Sequence, residues 1–245
     1  MAMKLGYMQR ISADHIRSGI VGGIFRNLNS KGIKAVMFAV GANVEKYYDE
    51  AIYALKNGMI VGNHSYSHPA FSSLSIEDGI ADFEKNEKVL DKLYKDAGVE
   101  RKYRPVRFPY GDKGGANKAK YQEYFAAKGY TKLDDSRITY PWWKAVGLDK
   151  DIDTLWTYDF EEYRVRPNSG FTFENVLKKM HNSAPAQGGV LFEENSTHIL
   201  LLHAHDETEE LVPEYYRIIV EKLLEHGAEF EIGWKTTYHH ISIMS

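Results

Sequence analysis

The stretch Lys34-Ala35-Val36-Met37-Phe38-Ala39-Val40, with the segment that carries it on through Gly58 to Met59-Ile60-Val61-Gly62, decides the fold. Its first residues form an almost unbroken apolar run of strand length, the pattern of a strand buried on both faces. From Gly41 the period changes. Val44, Tyr48, Ile52 and Leu55 fall on one helical face, and Gly58 supplies the left-handed residue that closes a helix. Met59 to Gly62 reads as the next short strand. Strand, helix and strand in that order make a parallel βαβ unit.

The same rhythm runs outward. Ser75, with Asp78 three residues on, resembles a capping box for a helix carrying Ile76, Ile80, Phe83, Leu90 and Leu93. Beyond it the pattern predicts a strand near Val106, a helix from about Lys118 to Lys128 ended by Gly129, and a strand from Tyr130. Then follow a strand around Thr154 to Tyr158, a helix from Phe173 to Met180, the strand run His198 to Leu202, a helix from Leu211 to Glu225 ended by Gly227, and a last strand near Phe230. This makes roughly seven or eight βα units. With no linker, repeat or low-complexity tract between them, residues 1–245 are expected to form a single α/β domain.

Composition narrows the function. The 245 residues carry 31 Lys and Arg against 34 Asp and Glu, a net charge of −3, which argues against a nucleic-acid binder. No apolar run approaches the ~18 residues that cross a bilayer. There is no cysteine, so any metal must be held by His, Asp or Glu. Met1 to Arg10 shows neither the basic stretch nor the apolar core of a secretion signal. The 17 Tyr, 11 Phe and 4 Trp suffice for a core and an exposed platform, and flat rings suit sugars.

If the units close into a barrel, catalytic groups belong just after the C-terminal ends of strands. Polar clusters fall there: Asp14 and His15 after the first strand, His64 and His68 after the third, Arg107 after the fourth, Asp159 after the sixth and His203 after the seventh. His64 and His68, four apart, would share one face of a helical turn and reach one cation; the alternative is a polar loop with an incidental second histidine. Arg107-Phe108-Pro109-Tyr110-Gly111 reads either as a rigid turn whose guanidinium orients a carboxylate and whose amide points at an anion, or as an ordinary turn. The run Ile199-Leu200-Leu201-Leu202-His203 delivers a histidine at a strand end, fit for general acid work or for a structural role.

In this order the three stretches resemble the polysaccharide deacetylase family, the carbohydrate esterases with a NodB-like domain, from Ile11 to about Phe230. His64 to His68 matches the family's H-S/T-x-x-H, Arg107 to Gly111 its R-x-P-Y-G, and Leu201 to His203 its late leucine-histidine motif. Phe38 to Gly41 resembles the end of its second strand, and Trp156, Asp159 and Tyr163 match a weaker tryptophan-aspartate motif. The resemblance implies a distorted (β/α) barrel of about seven parallel strands. It also implies one divalent metal, zinc first, with cobalt, manganese or nickel as the other candidates. On it His64 and His68 are ligands, Arg107 orients the base, and the backbone amide of Tyr110 helps hold the oxyanion. His203 protonates the leaving amine, Leu201 and Trp156 line the acetyl pocket, and Asp159 bonds Arg107.

The first motif departs from the pattern. Where the family carries T-F-D-D-G, this chain has Ser12-Ala13-Asp14-His15-Ile16. Without a gap Asp14 is the base and His15 a third histidine ligand; shifted by one residue, Asp14 becomes the ligand and Ala13 stands at the base position. The ungapped reading is preferred, because three histidines with an open position form a known catalytic zinc geometry. A site degraded by the change is the alternative.

Ile138 to Trp143, with Tyr140, Trp142 and Trp143 around Pro141, reads either as a substrate-contacting loop whose rings stack on sugar faces or, equally, as a hydrophobic loop packed over the barrel. Glu161 and Glu162 read as a solvated acidic turn, with hydrogen bonding to sugar hydroxyls as the alternative; the Lys85 to Lys95 charge run reads as the wet face of its helix, and the Asn-x-Ser/Thr matches at Asn63 and Asn195 as uninformative. Three functions follow: a deacetylase of N- or O-acetylated sugars, an allantoinase-like hydrolase of small amides, and a carbohydrate-binding pseudoenzyme. The expected partner is an acetylated glycan, the oligomeric state is not legible, and the family resemblance suggests a place outside the cytoplasm.

Overall fold

The computed structural model describes Met8, Gln9 and residues 18–231 of the chain. Asp14 and His15 lie outside the described residues. Five strands, β1 (Met8–Gln9), β2 (Val36–Ala39), β3 (Ile60–Asn63), β4 (Tyr158–Asp159) and β5 (Leu200–Leu201), form one sheet in the order β3-β2-β1-β5-β4. Every pairing is parallel: Val36 to Ala39 faces Ile60 to Asn63, Gln9 faces Val36 and Leu201, and Asp159 faces Leu201.

Beyond β3 the edge continues without a regular strand. Asn63 N–H donates to the Pro105 carbonyl at 2.8 Å, Arg107 N–H to the Asn63 carbonyl at 3.0 Å, and Thr154 N–H to the Val106 carbonyl at 2.9 Å. These bonds bend the β3 side round toward the segment that leads into β4. The described residues do not make a closed barrel. The expected strands at Val106 and Tyr130 are reduced to an isolated bridge and a single bond from Thr131 N–H to the Arg104 carbonyl, and in place of the one expected near Phe230 the described residues make only a bridge at Ala228. A strand persists only where a neighbour offers several consecutive groups, and here the partners are Pro-interrupted or too short.

The helices are α1 (Ser18–Ser30), α2 (Gly41–Lys46), α3 (Tyr48–Lys56), α4 (Ile76–Ala97), α5 (Lys118–Ala127), α6 (Pro141–Ala145), α7 (Phe173–Met180), α8 (Asp206–Leu211) and α9 (Tyr215–Glu225). The helix expected from Gly41 breaks at Tyr47, with φ −122° and ψ 51°, into α2 and α3. The helix expected from Leu211 gives way to α8 and α9, with Pro213 in the break. On α4, Ser75 Oγ accepts the Asp78 N–H at 3.0 Å and Gly98 closes the end in the left-handed region. No helix among the described residues is long and apolar enough to cross a membrane.

Strand alternation divides the core. Met37, Ala39, Leu200 and Leu202 pack on one side with Phe25 of α1, Leu90 of α4 and Ile219 of α9, while Val36, Phe38 and Ile199 pack on the other with Leu133, Ile138 and Trp143. A third cluster of aromatics, Phe71, Phe83, Phe108, Tyr121 and Phe125, fills the space between α4 and α5. Period 2 puts His203 on the same side as Ile199 and Leu201, the side of Phe38.

Candidate active site

The segment after β3 holds the paired histidines. His64 and His68 are not on a helical turn: Ser65 and His68 have φ of 63° and 60°, and this double left-handed turn folds the loop so that the two rings meet edge to face at 4.9 Å. Local hydrogen bonds carry that conformation. Asn63 Oδ1 accepts Ser65 N–H at 2.8 Å, Ser65 Oγ accepts His68 N–H at 3.1 Å, and Asp82 on α4 takes Tyr66 N–H, Ser67 N–H and the Ser67 hydroxyl. The ring of buried His64 donates from Nδ1 to the Arg107 carbonyl at 2.8 Å. That bond assigns the tautomer and leaves Nε2 with the lone pair a metal needs.

Beneath the loop lies a buried polar network. Asn63 Nδ2 donates to Glu87 at 2.7 Å, Asn86 Nδ2 donates to the Ala39 carbonyl and to Asn63 Oδ1, and Glu87 accepts from Arg101 and Arg104. Burial works to raise the Glu87 pKa, but the Arg101 guanidinium and Asn63 amide hold its carboxyl below the usual range. Asn86 and Glu87 stand inside the charge run read as a wet helix face, so that expectation fails at these two positions. The Asn63 side chain is enclosed and fully engaged, which removes it as a glycan acceptor in the folded chain.

Arg107 is completely buried beneath the same site. Its Nε donates to the Thr154 carbonyl at 2.7 Å and Nη2 to the Leu155 carbonyl at 3.3 Å, and the guanidinium lies 4.3 Å from the Phe38 ring centre. The next residues form a 3-10 turn over Pro109–Gly111 with φ of 57° at Tyr110 and 68° at Gly111. A Cβ at Gly111 would come within 3.1 Å of Trp156, so glycine serves there twice. The Tyr110 ring is 64% exposed and packs edge to face on His68 at 4.6 Å.

On the other side, two residues past β5, His203 is held by a carboxylate read as solvated. Glu162 is wholly buried; its Oε1 accepts the His203 backbone N–H and sits 2.9 Å from His203 Nδ1. Tyr215 donates its hydroxyl to the His203 carbonyl, which fixes the backbone as well. Glu161, with φ of 57°, turns the chain so that it faces Lys179 and Arg164 while its neighbour goes inward. Asp159 was expected against Arg107. Its Oδ1 instead accepts the Glu161 N–H at 2.8 Å, and a carboxylate oxygen lies within 4.8 Å of ligand atoms of His203 and Glu162. Burial raises its pKa, opposed by His203.

A cleft of about 710 Å³ opens beside this group, bounded by Trp142, Trp156, Asp159, Tyr163, Lys179 and Gln187. The two indoles expected as platforms part company. Trp142 stacks on Tyr140 at 5.8 Å and faces the cleft, whereas Trp143 is buried and donates from Nε1 to Asp135, so it belongs to the core. Leu201 is enclosed within β5 and does not border the cleft. The pair at i, i+1 on α6 must face different ways, and only the docking of α6 shows which one goes inside.

The structure thus brings His64, His68, Arg107 and Tyr110 into one contiguous group, and His203 and Asp159 into a second with Glu162. Glu162 and the Asn63–Asn86–Glu87 network escaped the sequence reading. Its one available signal was that Glu162 follows a strand end by a few residues, which Glu161 shares.

Residues 11–132 match the polysaccharide deacetylase family model. Over 79 residues, 31% of this chain and 15% of the relative, the sequence is 37% identical to a peptidoglycan-N-acetylmuramic acid deacetylase of Bacillus subtilis. Over 89 residues, 36% of this chain and 30% of the relative, it is 32% identical to a peptidoglycan-N-acetylglucosamine deacetylase of Bacillus cereus. The alignments thus span less than a third of either relative. Among solved structures, a family 4 carbohydrate esterase of Streptomyces lividans, bound to acetate, superposes with a TM-score of 0.60 at 16% identity over 94% of both chains. A pseudoenzyme of the same carbohydrate esterase family from Bacillus anthracis gives 0.59 at 20% identity, over 93% of this chain and 63% of that one.

Proposed function

This chain belongs to the polysaccharide deacetylase family, and from that premise we propose that it is a hydrolase that removes acetyl groups from an acetylated glycan. The observation that carries the reading is the tie between the two motifs: the His64 ring is bonded to the Arg107 carbonyl, so the histidine pair and the Arg107–Gly111 turn form one unit.

The donors fit a divalent metal. His64 and His68 meet at 4.9 Å, with His64 already oriented through Nδ1, and His15 is the proposed third ligand. Such an ion, zinc before cobalt, manganese or nickel, supplies carbonyl polarisation and a lowered pKa for water. The chain's own residues supply the rest. Asp14, outside the described residues, is the proposed acceptor of the attacking water's proton. The Tyr110 N–H, on its left-handed turn, donates to the oxygen on which charge develops. His203, with Nδ1 held by Glu162, presents Nε2 to the leaving nitrogen and gives it a proton. An open cleft flanked by Trp142 and Trp156 favours a glycan over a small cyclic amide, which a closed pocket would suit better.

The test is acetate release from N-acetylated oligosaccharides by zinc-loaded protein. Release abolished by a chelator and by His64→Ala is expected; full activity in His64→Ala refutes the assignment. The Asp14-His15 pair in place of two aspartates favours a second reading, a glycan-binding protein without turnover. It predicts sugar binding with no acetate release whatever metal is added.

A further inference from the structure

We propose that His181 and His226 form a metal site of their own, separate from the His64–His68 pair, that takes a divalent first-row ion with a preference for imidazole nitrogen, copper or nickel ahead of zinc. Neither residue has a part in the chemistry assigned to the cleft, so this site goes beyond the deacetylase reading and does not rest on it.

The separation of the rings carries the inference. Their centres lie 5.1 Å apart, with the planes at 61°. An ion ~2.0–2.1 Å from a ring nitrogen sits ~3.2 Å from the ring centre, and two imidazoles on one tetrahedral ion then have their centres ~5.2 Å apart. The His64 and His68 rings, at 4.9 Å and 69°, are arranged almost alike. For His226 the ligating atom is already chosen. Its Nδ1 donates to the Lys222 carbonyl at 2.8 Å, which leaves the lone pair on Nε2, as the Arg107 carbonyl does for His64. Both residues are exposed, so water can fill the remaining positions around an ion.

The setting favours a cation. His181 is the C-cap of α7 and His226 that of α9, so the negative ends of two helices converge on the pair. Glu225 adds a carboxylate next to His226; its hydrogen bond to Lys222 foremost, and the His226 ring last, hold its pKa below the usual range.

The rings are also placed in advance. Met180 and Leu223, at the ends of the same two helices, are buried in one core cluster and fix the backbone on which each histidine stands. Phe192 stacks on His226 at 4.1 Å and 12° and meets His181 at 5.2 Å, so one aromatic side chain lies against both. Ligands delivered by rigid elements lose little freedom on binding. An ion held there ties α7, which brings Lys179 to the cleft, to α9, whose Tyr215 donates to the His203 carbonyl.

The experiment titrates nickel into the metal-stripped full chain by calorimetry at about pH 7.5, because metal binding displaces protons and fails in acid. Wild type should show a binding step that is weakened at least ~10-fold in His181→Gln and equally in His226→Gln, since either change turns a two-point site into a single imidazole. The same step should persist in His64→Ala. Both histidines are exposed, so the metal-free melting temperatures of His181→Gln and His226→Gln should match wild type, and the rise that nickel produces should shrink in both. Equal titrations in wild type and the two variants overturn the proposal. A step lost with one histidine and kept with the other marks a lone imidazole and overturns it too, as does a step that His64→Ala abolishes. Acetate release enters none of these outcomes, so the two readings stand or fall separately.

Discussion

His198 is a buried histidine behind the wall of the cleft, bonded to Thr157 and Tyr140, and it makes a quantitative prediction about acid. Its Nε2–H faces the Val190 carbonyl at 3.0 Å, with the Tyr140 hydroxyl also at 3.0 Å, and its Nδ1 accepts from Thr157 Oγ1 at 3.2 Å. The neutral ring is satisfied at both nitrogens. Burial pushes the pKa down to about 4, with the Val190 carbonyl opposing. The unfolded chain has a histidine pKa near 6.5, so below that value it binds a proton that the folded chain refuses, and stability must fall as pH drops from about 6.5 toward 4. Each unit is worth ~1.4 kcal/mol, so the linkage removes ~1 kcal/mol between about pH 7 and 5.5 and ~2 kcal/mol by about pH 4.5. The assay is urea unfolding across this range in wild type and in His198→Gln, which lacks the titration. Subtracting the two removes the other histidines and the carboxylates. A difference that stays flat within about 0.3 kcal/mol between pH 7 and 5.5 would refute the argument, whatever the variant's absolute stability.

Other perturbations test the packing around the site. Glu162→Gln removes a buried charge from His203 and should cost about 2 kcal/mol in urea unfolding; a loss under ~0.5 kcal/mol would show that the pair is not formed. Gly62→Ala puts a Cβ 2.7 Å from the Pro105 carbonyl oxygen, a backbone atom that cannot swing aside. It should cost ~1–3 kcal/mol and disturb the His64 loop, readable as a lower melting temperature and weaker zinc binding. The Glu87 carboxyl, held down in the folded chain, contributes stability that is present above its unfolded pKa and lost as pH falls through the folded one. Glu87→Gln should therefore flatten the acid limb below about pH 4.5 in the same unfolding assay, and an unchanged limb would contradict the Arg101 pairing.

The alternation of buried strands and amphipathic helices from Val36 to Tyr216 is legible in the residues alone, as is the placing of chemically capable side chains near strand ends. Apolar runs of period 2 and period 3.6 report burial locally, and His64, His68, Arg107 and His203 stand out because their residue types sit where such runs stop. Partner choice is not a local property, and it emerges only once the chain has packed. Glu161 and Glu162 are the same residue in adjacent positions; a left-handed backbone at the first sends one to Lys179 and the other beneath His203. Trp142 and Trp143 are equally indistinguishable until α6 docks and buries one of them. The strands expected near Val106 and Tyr130 depended on neighbours distant in the chain, and those neighbours offer single hydrogen bonds where a ladder needs several. The helical turn expected at His64 and His68 gave way for the same reason. Hydrogen bonds from Asn63, Ser65 and Asp82 hold two left-handed residues in place, and they bring the rings together across a loop whose spacing had suggested a helix.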